Sequence, residues 1–100
     1  MSYQVRFAAS ALKSWNKLDA TIRVQFEKVI RRRVENPHVL GARLRAKGSV
    51  YKIKLRDSGY RLVYDVHDEV LVIRIIGVGR RDDGYDDLLV AGRESLDDLD

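Results

Sequence analysis

Tyr51-Lys52-Ile53-Lys54-Leu55-Arg56-Asp57-Ser58-Gly59-Tyr60-Arg61 is the stretch on which the reading of this chain turns. Lys52, Lys54 and Arg56 alternate with Tyr51, Ile53 and Leu55, the two-residue period of a strand that carries its cations on one face. Asp57-Ser58-Gly59 predicts a tight reversal, after which a return strand brings Arg61 back beside those cations. Like charges crowded on one sheet face repel unless something anionic lies against them. The hairpin is therefore either the solvated face of a half-covered sheet or a seat for phosphate, with RNA the first polyanion to consider.

Working outward from the hairpin, residues 60–66 and 70–78 complete a set of three strands that starts at about 50–56. Val70-Leu71-Val72-Ile73-Arg74-Ile75-Ile76 is apolar apart from Arg74, as expected of a central strand buried on both faces. Gly77 and Gly79 are expected to loosen its end and deliver Arg80 and Arg81 to the sheet rim. Upstream, Tyr3 to Phe7 reads as a short opening strand. Ala8, Ala11, Leu12, Trp15 and Leu18 then follow helical spacing, with Trp15 in the core. Asp19 is placed to cap a second helix whose Ile22, Phe26, Val29, Ile30 and Val34 form one apolar stripe, ended by Asn36-Pro37. Residues 38–48 read as loop, and Tyr85, Leu88, Leu89 and Gly92 suggest a short terminal helix. The expected fold is α+β, a mainly antiparallel sheet with an N-terminal helical hairpin packed on one face, in the order β-α-α-β-β-β-(α).

One hundred residues suffice for one domain with a modest core. We expect that domain over residues 1–93 and a flexible acidic tail over 94–100. No cysteine is present, which excludes disulfides and thiolate zinc sites. The opening residues lack the apolar run of a signal peptide and no later segment approaches bilayer-spanning length, so a soluble, cytoplasmic protein is expected. The charge is divided unevenly. The chain carries 19 Lys and Arg against 15 Asp and Glu, but eight of the acids and a single base, Arg93, follow Arg81. Residues 1–81 therefore carry +11 and residues 82–100 carry −7. A basic body of this kind suits nucleic acid, bound largely through counterion release.

Several chemistries can be set aside. His38 falls in a loop and His67 at a turn; both are expected to be exposed and lack metal-ligand spacing. No Gly-Lys-Ser/Thr phosphate loop occurs, and Gly77-Val78-Gly79 is too short for a dinucleotide fingerprint. The expectation is no metal and no cofactor. Lys, Arg and Tyr remain. Cleavage of RNA by its own 2′-hydroxyl requires a base at that hydroxyl, cations at the phosphate and an acid at the departing 5′-oxygen. A lysine ordinarily titrates near 10.4, and neighbouring cations push that value down, which Lys52, Lys54 and Arg61 have the composition to do. Arginine suits a phosphate clamp, because its planar fork pairs with two oxygens. Tyr51, Tyr60 and Tyr64 read as packing aromatics, whereas Tyr85 could stack on a base.

The blocks Ala11-Leu12-Lys13-Ser14-Trp15-Asn16-Lys17-Leu18, Tyr51 through Tyr64, and Gly77-Val78-Gly79-Arg80-Arg81 resemble the RelE toxins of bacterial toxin–antitoxin pairs, within the wider RelE/ParE superfamily. The likeness runs from Tyr3 to about Arg93, and the family's order of elements matches the one read above. It implies a metal-independent endoribonuclease that enters the A site of the 70S ribosome, cleaves the mRNA there and arrests translation. By position in the matching motifs, Lys52 and Lys54 would be the base and phosphate-side cations, and Arg61 would stabilise the transition state. Arg81 would stabilise or protonate the leaving group, and Tyr85 would stack on a nucleotide. Arg43, Arg45, Lys47, Arg56 and Arg80 would hold RNA, the 16S rRNA included. Tyr85 follows Arg81 at a slightly shorter distance than is usual in the family, with Asp82, Asp83, Asp86 and Asp87 around it. The implied partner is a RelB-like antitoxin whose acidic, amphipathic segment wraps the toxin in a hetero-oligomer. Two alternatives stand beside this one: a ParE-like toxin that inhibits DNA gyrase by binding it, and a degenerate RNA-binding module.

Overall fold

Two helices lie on one face of a four-stranded sheet in the computed structural model, which describes residues 2–43 and 49–80. The strands are β1 (Gln4–Phe7), β2 (Val50–Lys54), β3 (Tyr60–His67) and β4 (Val72–Arg80). The helices are α1 (Ala9–Asn16) and α2 (Ala20–Arg33), with short 3-10 turns at Leu40–Ala42 and Asp68–Val70. The order across the sheet is β1-β4-β3-β2. β1 runs parallel to β4, and the other two pairings are antiparallel. The sheet is thus mixed, with the expected antiparallel pairs in the majority. The candidate terminal helix, the tail and the boundary at residue 93 lie outside the described residues.

The core forms where the two periodicities meet. Tyr51 and Ile53, Leu62, Tyr64 and Val66, and Ile73, Ile75 and Val78 point toward the helices. Ala8, Ala11, Leu18, Phe26 and Ile30 close on them from above, with Val5, Phe7, Trp15, Ile22, Val29 and Val34 packed around. Phe26 is wholly buried and anchors α2. Trp15 sits at the margin of this core, its ring 5.4 Å from Phe7 and 6.1 Å from Phe26. Leu12, expected on the apolar stripe of α1, is instead 43% exposed; its position is rotated one step off the line through Ala8, Ala11 and Trp15. Asp19 stands at the N-cap of α2 in extended conformation, but its side chain makes no capping bond.

Strand boundaries depart from expectation at both hairpins. β2 stops at Lys54, so Arg56 lies in a five-residue connection and not on the strand. That connection closes with Leu55 N–H bonding Tyr60 O at 2.9 Å and Gly59 N–H bonding Leu55 O at 2.9 Å. Gly59 has φ +75°, a left-handed conformation that glycine adopts without steric cost. β4 starts at Val72 because residues 68–70 form a 3-10 turn and Leu71 takes a left-handed conformation at φ 54°. It also continues through Arg80, so Gly77 and Gly79 are strand residues and do not loosen its end.

His38 is exposed but tied at both nitrogens. Its Nε2 lies 2.8 Å from Asp68 Oδ1 and its Nδ1 2.8 Å from Tyr51 Oη. Tyr3 Oη donates to the same Asp68 oxygen at 2.6 Å. This chain of bonds links the start of β1, the segment after α2, β2 and the β3–β4 turn. His67 is half-buried at the end of β3, with Nε2 2.9 Å from Asp65 Oδ1. No helix among the described residues is long and apolar enough to cross a membrane.

Candidate functional site

The sheet face away from the helices carries the expected cations. Antiparallel register sets Lys54 opposite Arg61 and Lys52 opposite Val63. Arg61 in turn lies opposite Gly79, and Val63 opposite Gly77. Directly opposed residues share a face, so Lys52, Lys54 and Arg61 stand together, with Gly77 and Gly79 continuing their rows. Glycine has no side chain, so β4 presents only backbone beside Arg61.

An irregularity in β4 makes this arrangement. The pairing with β3 shifts between Val63 and Tyr64, leaving Ile76 as an extra residue between Ile75 and Gly77. Strict alternation from Ile73 and Ile75 would turn Gly77 and Gly79 toward the helices and Val78 away. The extra residue reverses that phase. Val78 joins the core opposite Leu62, while both glycines turn out beside the cations.

At the hairpin end, Lys54, Leu55, Arg56, Gly59, Tyr60 and Arg61 line a cavity of about 300 Å³. Arg56 reaches this cavity from the turn, even though the strand has ended. Tyr60 forms part of its wall, a role the reading of Tyr60 as a packing aromatic missed. Arg80 pairs in register with Tyr60, not with Arg61, and so belongs to the helix-side face. Its guanidinium lies 5.3 Å from the Tyr60 ring centroid, and Nε donates to Tyr60 Oη at 3.3 Å. Arg43 lies at the outer edge of β2, where it makes an isolated antiparallel bridge with Tyr51. Arg45, Lys47, Arg81 and Tyr85 lie outside the described residues.

Farther along the same face the charge is mixed. Asp65 pairs across the sheet with Arg74, and Arg74 with Arg6 on β1. Burial pushes the Asp65 carboxyl above its ordinary value, while His67 and Arg74 pull it back. The exception within the apolar strand, Arg74, thus has a carboxylate opposite it. Among the described residues, the chemically coherent site lies at the hairpin end: several cations, one aromatic wall and an open cavity. Such a set attracts phosphate oxygens and repels metal cations, which suits an anionic substrate.

Residues 5–85 match the family model for the ParE toxin of the type II toxin-antitoxin system parDE. This chain belongs to the RelE/ParE toxin family. Among relatives in that family, a RelE-like toxin protein of Escherichia coli is 51% identical over 82 residues, covering 82% of this chain and 86% of the relative. The mRNA interferase toxin RelE of Escherichia coli strain K12 is 46% identical over the same shares. An arginine double mutant of E. coli RelE in the free state superposes with a TM-score of 0.84 at 38% identity, covering 96% of this chain and 99% of that one. The toxin in the intact E. coli RelBE toxin–antitoxin complex gives 0.78 at 46% identity, covering 79% and 96%. The family expected from the hairpin and Gly-Val-Gly-Arg-Arg blocks is thereby borne out, as is its α+β fold.

Proposed function

We propose that this RelE/ParE-family toxin is an endoribonuclease that cuts mRNA in the ribosomal A site and so stops translation. The observation that carries this reading is the Lys52, Lys54 and Arg61 cluster, held on one sheet face by the Lys54–Arg61 register pair. The named activity of its 46%-identical relative, an mRNA interferase, supports it.

The proposed chemistry needs no metal. The 2′-oxygen of the nucleotide before the scissile bond attacks phosphorus, the bond from phosphorus to the 5′-oxygen breaks, and a 2′,3′-cyclic phosphate and a 5′-hydroxyl result. One of Lys52 and Lys54 takes the 2′-hydroxyl proton and the other holds the phosphate. Arg61 stabilises the charge that builds on the phosphorane oxygens. Arg81, one peptide bond beyond Arg80, stabilises or protonates the leaving oxygen, and Tyr85 stacks on a nucleotide. Arg43, Arg45, Lys47, Arg56 and Arg80 grip RNA outside the reacting bond. We further assign the protein to the cytoplasm, where its substrate is, and pair it with an acidic antitoxin, as RelE pairs with RelB in the E. coli complex.

The family model's description as a ParE toxin is the ground for a second reading, a ParE-like toxin that would act on DNA gyrase. Greater than 45% identity to RelE proteins, and not the shared fold, is the reason to rank it second. The test is purified protein on programmed 70S ribosomes with mRNA ends mapped, beside naked mRNA and a supercoiling assay. We expect ribosome-dependent A-site cuts. Arg61→Ala and Arg81→Ala should each lower kcat by roughly 10²- to 10³-fold. Intact mRNA together with inhibited gyrase would overturn the first reading.

A further inference from the structure

A second cavity, of about 310 Å³, opens on the outer edge of β2. Its walls are Arg33 from the last turn of α2, Val39 before the 3-10 turn, Gly41 and Ala42 within it, and Lys52, Lys54 and Arg56 from the hairpin. Lys54 and Arg56 also line the hairpin cavity, so the two adjoin.

Arg33 is the member that no motif assigns. Its Nη1 donates to Tyr64 Oη at 2.8 Å, and its guanidinium carbon stands 5.7 Å from the centre of that ring. Tyr64 is 1% exposed, stacks on Tyr51 at 5.6 Å and donates its own hydroxyl proton to Pro37 O at 2.8 Å. Arg33 is therefore held in place by a buried, fully engaged aromatic. The partner is a neutral phenol, so this contact fixes the guanidinium without cancelling its charge. Only one of the fork's several N–H donors is used by it. Burial pushes the Tyr64 phenol up, which keeps it neutral and acting as the acceptor.

We infer that this cavity is a second phosphate site, taking a phosphodiester of the RNA strand next to the one being cut, with Arg33 as its anchor. The inference rests on the endoribonuclease reading above. A polymer with regularly repeated charge suits two adjoining cationic cavities better than a single anion does. Lys52 and Lys54 are two residues apart on β2, on the order of 7 Å, so the strand edge can pass the chain from one cavity to the next. Arg33 then positions RNA and takes no part in the proton transfers.

The test uses the full chain and an RNA trinucleotide with 2′-deoxyribose at the attacked position, so that it binds without being cut. Affinity is followed by fluorescence anisotropy between about 50 and 200 mM salt. Arg33→Gln should weaken binding roughly tenfold at low salt and make the slope of log K against log salt shallower by about 0.7. Arg33→Lys should keep the slope. Gly41→Asp provides a variant that leaves the Tyr64 bond intact: a Cβ at Gly41 meets nothing within 4 Å, and the new carboxylate should repel the phosphate. On ribosomes, Arg33→Gln should raise KM and leave kcat unchanged. Parent-like affinity and slope in both Arg33→Gln and Gly41→Asp overturn the inference while leaving the cleavage reading intact. So does parent protein that does not bind the trinucleotide, or loss of an acidic antitoxin peptide with RNA binding unchanged. Parent protein that binds RNA at both cavities but never cuts overturns the cleavage reading alone.

Discussion

Two aspartates three residues apart should respond to pH with opposite signs. Asp68 accepts from Tyr3 and from His38, and these donors, Tyr3 foremost, hold its carboxyl below the ordinary value of 3.8. The same carboxylate pushes the Tyr3 phenol up. A lowered value in the folded state means that the stability Asp68 contributes is present above pH 3.8 and is lost as pH falls through the folded value. Asp65 is the reverse case. Burial raises its carboxyl, so its contribution is full below pH 3.8 and is lost as pH rises through the higher folded value. Thermal melts between about pH 3 and 7 should show Asp68→Asn lowering Tm at neutral pH, with the gap closing in acid. Asp65→Asn should raise Tm at neutral pH, with that gain also closing in acid. Two variants shifting Tm in the same direction at pH 7 would contradict these assignments. The sequence shows both acids, but not which one is buried. His38, expected to be a bare loop residue, proves to be a clasp because Tyr51 and Asp68 come from distant parts of the chain.

At the scale of elements, β4 shows both what patterning reveals and where it fails. Its apolar run correctly marked a central strand, now seen between β1 and β3. The extra residue at Ile76 was not legible, because a run of apolar residues has no alternation to break. Its mark is the three-residue step from Ile75 to Val78, both in the core. Ile76→Val should cost only about 1 kcal/mol. Deleting Ile76 should cost about as much as Ile76→Ala, roughly 2–5 kcal/mol, because Ile75, Gly77 and Val78 then alternate regularly and keep Val78 in the core and both glycines outward. Denaturant melts in which the deletion costs far more than Ile76→Ala would refute the phase reversal. Helix α2 holds a comparable lesson. Arg33 lies three residues after Ile30 and seven after Phe26, on the buried side of the helix, so helical spacing alone could have separated it from Arg31 and Arg32. The hairpin was legible in its register partner, Arg61, but not in its five-residue connection, which moved Arg56 off the strand.

For the molecule as a whole, element order and layer arrangement followed from periodicity, while the parallel β1–β4 pairing did not. Nothing local marks it, since Gln4 finds its partner at Val72. That pairing carries a consequence for the timing of synthesis. The first strand cannot take its place until the last described strand has been made, and the Arg61 row is incomplete until Gly79 has paired. Long-range pairings of this kind form late. Stalled nascent chains ending before residue 72 should therefore be digested readily by protease, and protection should appear only after β4 has left the exit tunnel. Early protection would refute this order of events. A toxin built this way holds no complete cation row before β4 has been made, so the emerging chain is inert while it is extended to that point.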